Sequence, residues 1–134
     1  MKLIVDSNIL FTFFWKNATA TDLFVFQNLE LYSPEFALEE IQKYNSEIVR
    51  KAKMSNTEFR EIKKELQLLI AFVPLEEYRN YFQNAVKISP DREDVDFFAL
   101  SLLKDCPIWS NDKKLKEQDK VKVLTTKEVI ELFD

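Results

Sequence analysis

The chain has 134 residues, 46% of them hydrophobic with 12 Phe, and a formal net charge of −4; this composition folds around a sizeable core and argues against disorder and against broad electrostatic capture of nucleic acid. It contains no Gly and no His, which excludes glycine-lined phosphate cradles, Ser-His and Cys-His catalytic pairs and imidazole zinc sites. The single Cys, Cys106, excludes an intramolecular disulfide, and with no signal peptide and no apolar stretch near the length of a membrane span, the expected setting is the reducing cytoplasm.

KLIVD (2–6) reads as a short strand ending at Asp6, and ILFTFFW (9–15) carries the apolar character into a loop or helix start. ATATDLFVFQNL (18–29) reads as a Thr-capped helix with Leu23, Phe24 and Phe26 on its apolar face. LELYS (29–33) is the next strand, followed by a helix with Ser33 as N-cap and Pro34 at its first position. That helix carries Phe36, Ala37, Ile41, Tyr44 and Ile48 at helical spacing.

Ser55-x-x-Glu58 is a capping box opening a helix with Phe59, Ile62, Leu66 and Leu69 on one side. AFVPL (71–75) reads as a strand, Leu75, Tyr78, Phe82, Ala85 and Val86 as a helix, and Ser89-Pro90 as the start of another. PIWS (107–110) and VKVL (121–124) are the last strands, and Thr125-x-x-Glu128 caps a terminal helix. Short apolar strands alternating with amphipathic helices predict one α/β domain over residues 1–134, with a parallel sheet covered on both faces.

In open α/β sheets ligands bind beyond the carboxyl ends of the strands. Asp6 follows the first strand and Asp112 the fourth, although Asp is also an ordinary turn residue. In the Pro34 helix, Glu40 lies four residues from both Phe36 and Tyr44, on the inward face, where an unpaired carboxylate is costly. Glu39 aligns with Glu35 and Lys43 on the solvent side.

The stretch PDREDVDFFALS (90–101) divides by phase into a capping or rim Asp91, a solvent-facing Glu93 and an inward Asp94. Asp96 is left undecided by phase, and the helix dipole stabilises acids in a first turn in any case. Asp6, Glu40, Asp94 and Asp112 thus come from four separated segments. Such a cluster repels itself unless a cation neutralises it, and oxygen-only ligands suit Mg²⁺ or Mn²⁺. One or two such ions activate water and stabilise the leaving oxygen in phosphodiester cleavage.

IVDSN (4–8), SPEFALEEI (33–41), PDREDVDFFALS (90–101) and WSNDKKL (109–115), in this order and spacing, resemble PIN-domain ribonucleases, VapC-like toxin nucleases among them. The resemblance implies a three-layer α/β/α fold around a parallel sheet of about five strands in order 3-2-1-4-5. It implies catalytic and metal-binding roles for Asp6, Glu40, Asp94 and Asp112, with one or two Mg²⁺ or Mn²⁺ ions. It further implies endoribonuclease activity, commonly as the toxin of a toxin–antitoxin pair, with RNA as substrate and an antitoxin protein as partner. Asn8, Ser110 and Asn111 match polar positions that line such sites. Phe97-Phe98 stands where the family usually has small residues. The expected assembly is a homodimer.

An acidic chain must still hold RNA. Lys113, Lys114, Lys116, Lys120, Lys122 and Lys127 are expected near the rim of the site, with Lys113 and Lys114 as substrate contacts, although most Lys runs are solvated faces. A haloacid-dehalogenase-type phosphatase requires Asp-x-Asp after its first strand, and Asp6-Ser7-Asn8 fails at the second Asp. The non-enzymatic rival is a protein-binding scaffold whose acids merely solvate helix ends.

Overall fold

The computed structural model describes residues 1–15 and 29–132. The helix expected over 18–29 therefore lies, but for its last residue, outside the described residues. A five-stranded, all-parallel sheet runs in the order β3-β2-β1-β4-β5, flanked by helices. The strands are β1 (Lys2–Val5), β2 (Glu30–Pro34), β3 (Ile70–Val73), β4 (Ile108–Trp109) and β5 (Val123–Leu124). This is the order that the family resemblance implied.

β1 is the middle strand, and Leu3, Ile4 and Val5 are fully buried because helices cover both faces of a parallel sheet. The helices are α1 (Ser7–Thr12), α2 (Glu35–Lys43), α3 (Asn45–Ala52), α4 (Asn56–Leu69), α5 (Leu75–Tyr78), α6 (Phe82–Ile88), α7 (Val95–Lys104) and α8 (Thr126–Glu131). α7 packs on β1, β2 and β4. Its near-continuous run Val95, Phe97, Phe98, Ala99, Leu100 and Ser101 is buried because neighbours cover more than one of its sides. Both expected capping boxes form: Ser55 with Glu58 opens α4, and Thr125 with Glu128 opens α8.

Four boundaries differ from the sequence expectation, one of them in the helix expected across Leu75–Val86, which a 3₁₀ turn over Arg79–Tyr81 divides into α5 and α6. Ser33 does not cap α2; its buried hydroxyl donates to the Val5 carbonyl at 3.0 Å, tying β2 to β1, so Pro34 becomes the N-cap and Glu35 the first helical residue. The single helix expected across Phe36–Ile48 bends at Tyr44 (φ −94°, ψ 17°), giving α2 and α3, and no Pro or Gly marks the bend. The helix expected from Ser89-Pro90 begins later: Pro90 keeps Ser89 extended, and Asp91 caps a single 3₁₀ turn, Arg92–Asp94, before α7 starts at Val95.

With no glycine available, the left-handed residues closing α3 and α7 are Lys53 (φ 54°) and Asp105 (φ 51°). Glycine is the usual occupant of such a position.

Candidate functional site

The carboxyl ends of β1 and β4, the outer half of α2 and the 3₁₀ turn before α7 meet at one end of the sheet. They enclose a cavity of about 200 Å³ lined by Asp6, Ser7, Asn8, Phe11, Glu40, Asp91, Glu93, Asp94, Phe97 and Asp112. The four acids singled out from the sequence share this cavity, with Asn8 and Asp91 beside them.

Asp6 is the most enclosed of the four, only 4% exposed. Burial raises its carboxyl above the ordinary range and neighbouring Asp112 adds to the rise, while bonds from the Ser110 hydroxyl and the Ser7 N–H oppose it. Ser110 is fully buried and has two partners: its Oγ donates to Asp6 Oδ2 at 2.6 Å and accepts the Asp112 N–H at 3.1 Å. One hydroxyl therefore holds the ends of β1 and β4 together. Asp112 in turn caps the 3₁₀ turn Lys113–Glu117, its Oδ1 accepting the Lys114 N–H at 3.0 Å.

Glu40 reaches the cavity from α2, and Ser7 Oγ donates to its Oε1 at 3.3 Å. Partial burial raises its carboxyl, Ser7 lowers it, and Glu93 and Asp6 raise it again. Asp94 stands on the 3₁₀ turn. Its carboxyl accepts no hydrogen bond among the described residues, and it is pushed up to about 7, first by desolvation and then by Asp6, Asp91, Asp112 and Glu93. Like charges crowd this group.

The other acids of PDREDVDFFALS have partners or positions of their own. Asp91 accepts the Glu93 N–H on Oδ1 at 3.0 Å and the Lys114 ammonium on Oδ2 at 3.1 Å. The Glu93 N–H and then Lys114 hold its carboxyl below the ordinary range. Asp96 accepts the hydroxyl of buried Tyr78 on Oδ2 at 2.6 Å, and burial together with this carboxylate drives the phenol upward. Asp96 faces an adjoining, larger cleft of about 630 Å³ that also contains Glu35, Glu39, Glu76 and Arg92 and shares Glu40 with the cavity. Glu93 is exposed, as expected, and sits on the rim shared by cleft and cavity.

Asn111 is not among the cavity residues. Its amide donates to Thr126 Oγ1 at 3.0 Å and accepts the Thr126 N–H at 2.8 Å, joining the end of β4 to the start of α8. The lysines also separate. Lys114 is at the cavity mouth, and Lys116 is ion-paired to Glu128. The expectation that Lys120 and Lys122 stand at the rim is corrected: they border another cavity, of about 230 Å³, with Cys106 and Pro107 at the amino end of β4. The chain must return to that end because β5 is parallel to β4. Gln118 shapes the return by bonding Leu115 and Val121 carbonyls and the Lys120 and Val121 N–H groups.

Sequence reading missed Ser7, Phe11 and Phe97 as cavity residues. Ser7 carried a signal, adjacency to a strand-end Asp, and Phe97 another, its place where the family usually has small residues; Phe11 carried none that distinguished it from core.

The donor set is carboxylate and hydroxyl oxygen, mutually repulsive and enclosed, and that chemistry fits a hard divalent cation. Among the described residues no three acidic, thiol or imidazole groups are grouped closely enough to hold one metal ion.

A family model described as PIN domain matches residues 4–132. Among solved structures, the chain is similar to a chain in the crystal structure of VapBC2 from Rickettsia felis bound to a DNA fragment from their promoter. The TM-score is 0.71 at 12% sequence identity, covering 93% of this chain and 98% of that one. A search of curated proteins gives no significant match.

Proposed function

The chain belongs to the PIN-domain family, nucleases as a class, and from that premise we propose that it is a divalent-metal-dependent endoribonuclease that hydrolyses RNA phosphodiester bonds. The observation that carries the reading is the convergence of Asp6, Glu40, Asp94 and Asp112, from four separate segments, on one cavity at the carboxyl end of the sheet. These four residues would hold one or two Mg²⁺ or Mn²⁺ ions. When bound, such ions supply water activation and stabilisation of the leaving oxygen.

The chain's own contribution is placement. Ser110 fixes Asp6 beside the Asp112 turn, and Ser7 steadies the longer Glu40 side chain. Asp94, whose carboxyl is pushed up first by desolvation and then by its acidic neighbours, would serve as a ligand in its ionised form, which a bound cation would favour. Phe11 and Phe97 supply the apolar part of the cavity wall.

The further reading, that it acts as the toxin of a toxin–antitoxin pair, draws on the likeness to VapBC2; the homodimer and the cytoplasmic setting remain expectations of the sequence. The test of the enzyme is Mg²⁺- or Mn²⁺-dependent cleavage of single-stranded RNA by the wild type, Asp6→Asn and Asp94→Asn. The proposal requires a large loss in both variants, and equal cleavage by all three proteins sinks it. An antitoxin is tested by co-expression with the product of the adjacent gene and recovery of an inhibited complex.

A further inference from the structure

We propose that Lys114 is a phosphate contact for the RNA strand, and that Asp91 is its internal counter-ion, holding the ammonium at the cavity mouth until a phosphate displaces it. The identity of the ligand rests on the nuclease reading; the exchange itself rests on the geometry.

Lys114 is anchored at its base and free at its tip. Its N–H is held by Asp112 Oδ1 at 3.0 Å, so the main chain stays beside the cavity while the ammonium reaches Asp91 Oδ2 at 3.1 Å. The pair spans two cavity segments, the turn after β4 and the turn before α7. The side chains are 49% and 34% exposed, so water screens the attraction and little is lost when it opens. Asp91 also keeps a partner after release, because its Oδ1 still accepts the Glu93 N–H at 3.0 Å. The flexible stem of a lysine allows its ammonium to swing from one anion to another.

Charge also selects the direction of approach. The cleft beyond Glu93 sets Glu35, Glu39, Glu76 and Asp96 against Lys43 and Arg92, a net negative wall that repels a polyanion. A strand reaching the carboxylates is therefore steered in over the Lys114 side.

The test is a double-mutant cycle on the full chain, in an Asp6→Asn background and Mg²⁺ buffer, read by fluorescence anisotropy of labelled single-stranded RNA. Lys114→Ala should weaken binding and reduce the slope of log K against log salt by about 0.7, the share of one single-strand phosphate contact. Asp91→Asn should tighten binding by roughly two- to fivefold, the range expected on freeing an exposed ion pair. In the Lys114→Ala background that gain should vanish. A gain that persists there is simple removal of negative charge and overturns the proposal. So does an Asp91→Asn protein, otherwise wild type, that loses the Mn²⁺-induced rise in melting temperature, since Asp91 is then a metal ligand. Wild type that binds RNA without cutting it defeats the nuclease reading and leaves the cycle to decide the exchange. Wild type that binds no RNA defeats both.

Discussion

Ser110 and Asp6, 104 residues apart in sequence, are joined by a buried hydrogen bond of 2.6 Å, and the same serine hydroxyl accepts the Asp112 N–H. Removing that hydroxyl strips a buried carboxylate of its donor and a backbone N–H of its acceptor. Ser110→Ala should therefore cost about 1–3 kcal/mol in urea unfolding and weaken Mn²⁺ binding about 10–100-fold, as loss of a group that orients a metal ligand does. Ser110→Thr keeps the hydroxyl and should restore most metal binding. A Ser110→Ala protein with unaltered metal affinity would show that Asp6 needs no such support.

Asp94 gives a pH signature in the metal-free protein. Its carboxyl sits at about 7 in the fold against 3.8 for the ordinary group, so the folded state binds this proton more tightly than the unfolded state. The resulting stability is fully present below about pH 4 and is lost as pH rises through about 7. Asn mimics the protonated form without titrating. Asp94→Asn should melt above wild type at pH 7.5, by roughly 1 kcal/mol after allowing for solvent screening of a half-exposed group, and the gap should close towards pH 4. Saturating Mn²⁺ should reverse the order, because only the carboxylate can then take the cation.

Tyr78 and Asp96 form a part-buried polar contact whose residues do not line the carboxylate cavity. Tyr78→Phe leaves the Asp96 carboxylate without its donor and should destabilise the fold by about 1–3 kcal/mol. RNA cleavage by the folded fraction should change far less than with Asp94→Asn. A loss of cleavage matching that of Asp94→Asn, at full folding, would bring Asp96 into the chemistry.

Lys53 adopts a left-handed backbone at the end of α3, with its side chain in solvent. Lys53→Gly should stabilise the protein by roughly 0.5–1 kcal/mol, the strain relieved exceeding the extra chain entropy of glycine in the unfolded state. Thermal melting checks the sign.

Much of this architecture is legible in the sequence because local rules and tertiary needs agree. KLIV is apolar throughout because a central parallel strand is buried on both faces, and Ser55 and Thr125 announce the helices that they cap. Glu40 was placed by helical phase, and α2 does turn it towards the cavity. Asp94 was placed by the same argument, yet it reaches the cavity from a 3₁₀ turn that phase does not describe.

What escaped depends on contacts between distant segments. Asp91 and Asp96 are distinguished by Lys114 and Tyr78, 23 and 18 residues away. Asn111 turns to Thr126 across a strand end, and the return loop built on Gln118 carries Lys120 and Lys122 to the opposite end of the sheet. No local pattern encodes these partners.

Strand order has a consequence for timing. β1 is made first, but its neighbour on the Asp112 side is β4, made fourth, with β2 and β3 and most of the helices synthesised in between. A chain emerging from the ribosome carries Asp6 for most of its synthesis without Ser110 to orient it or Asp112 to sit beside it. The carboxylate pocket is completed only near the end of translation, when Ile108–Trp109 docks against Ile4–Val5.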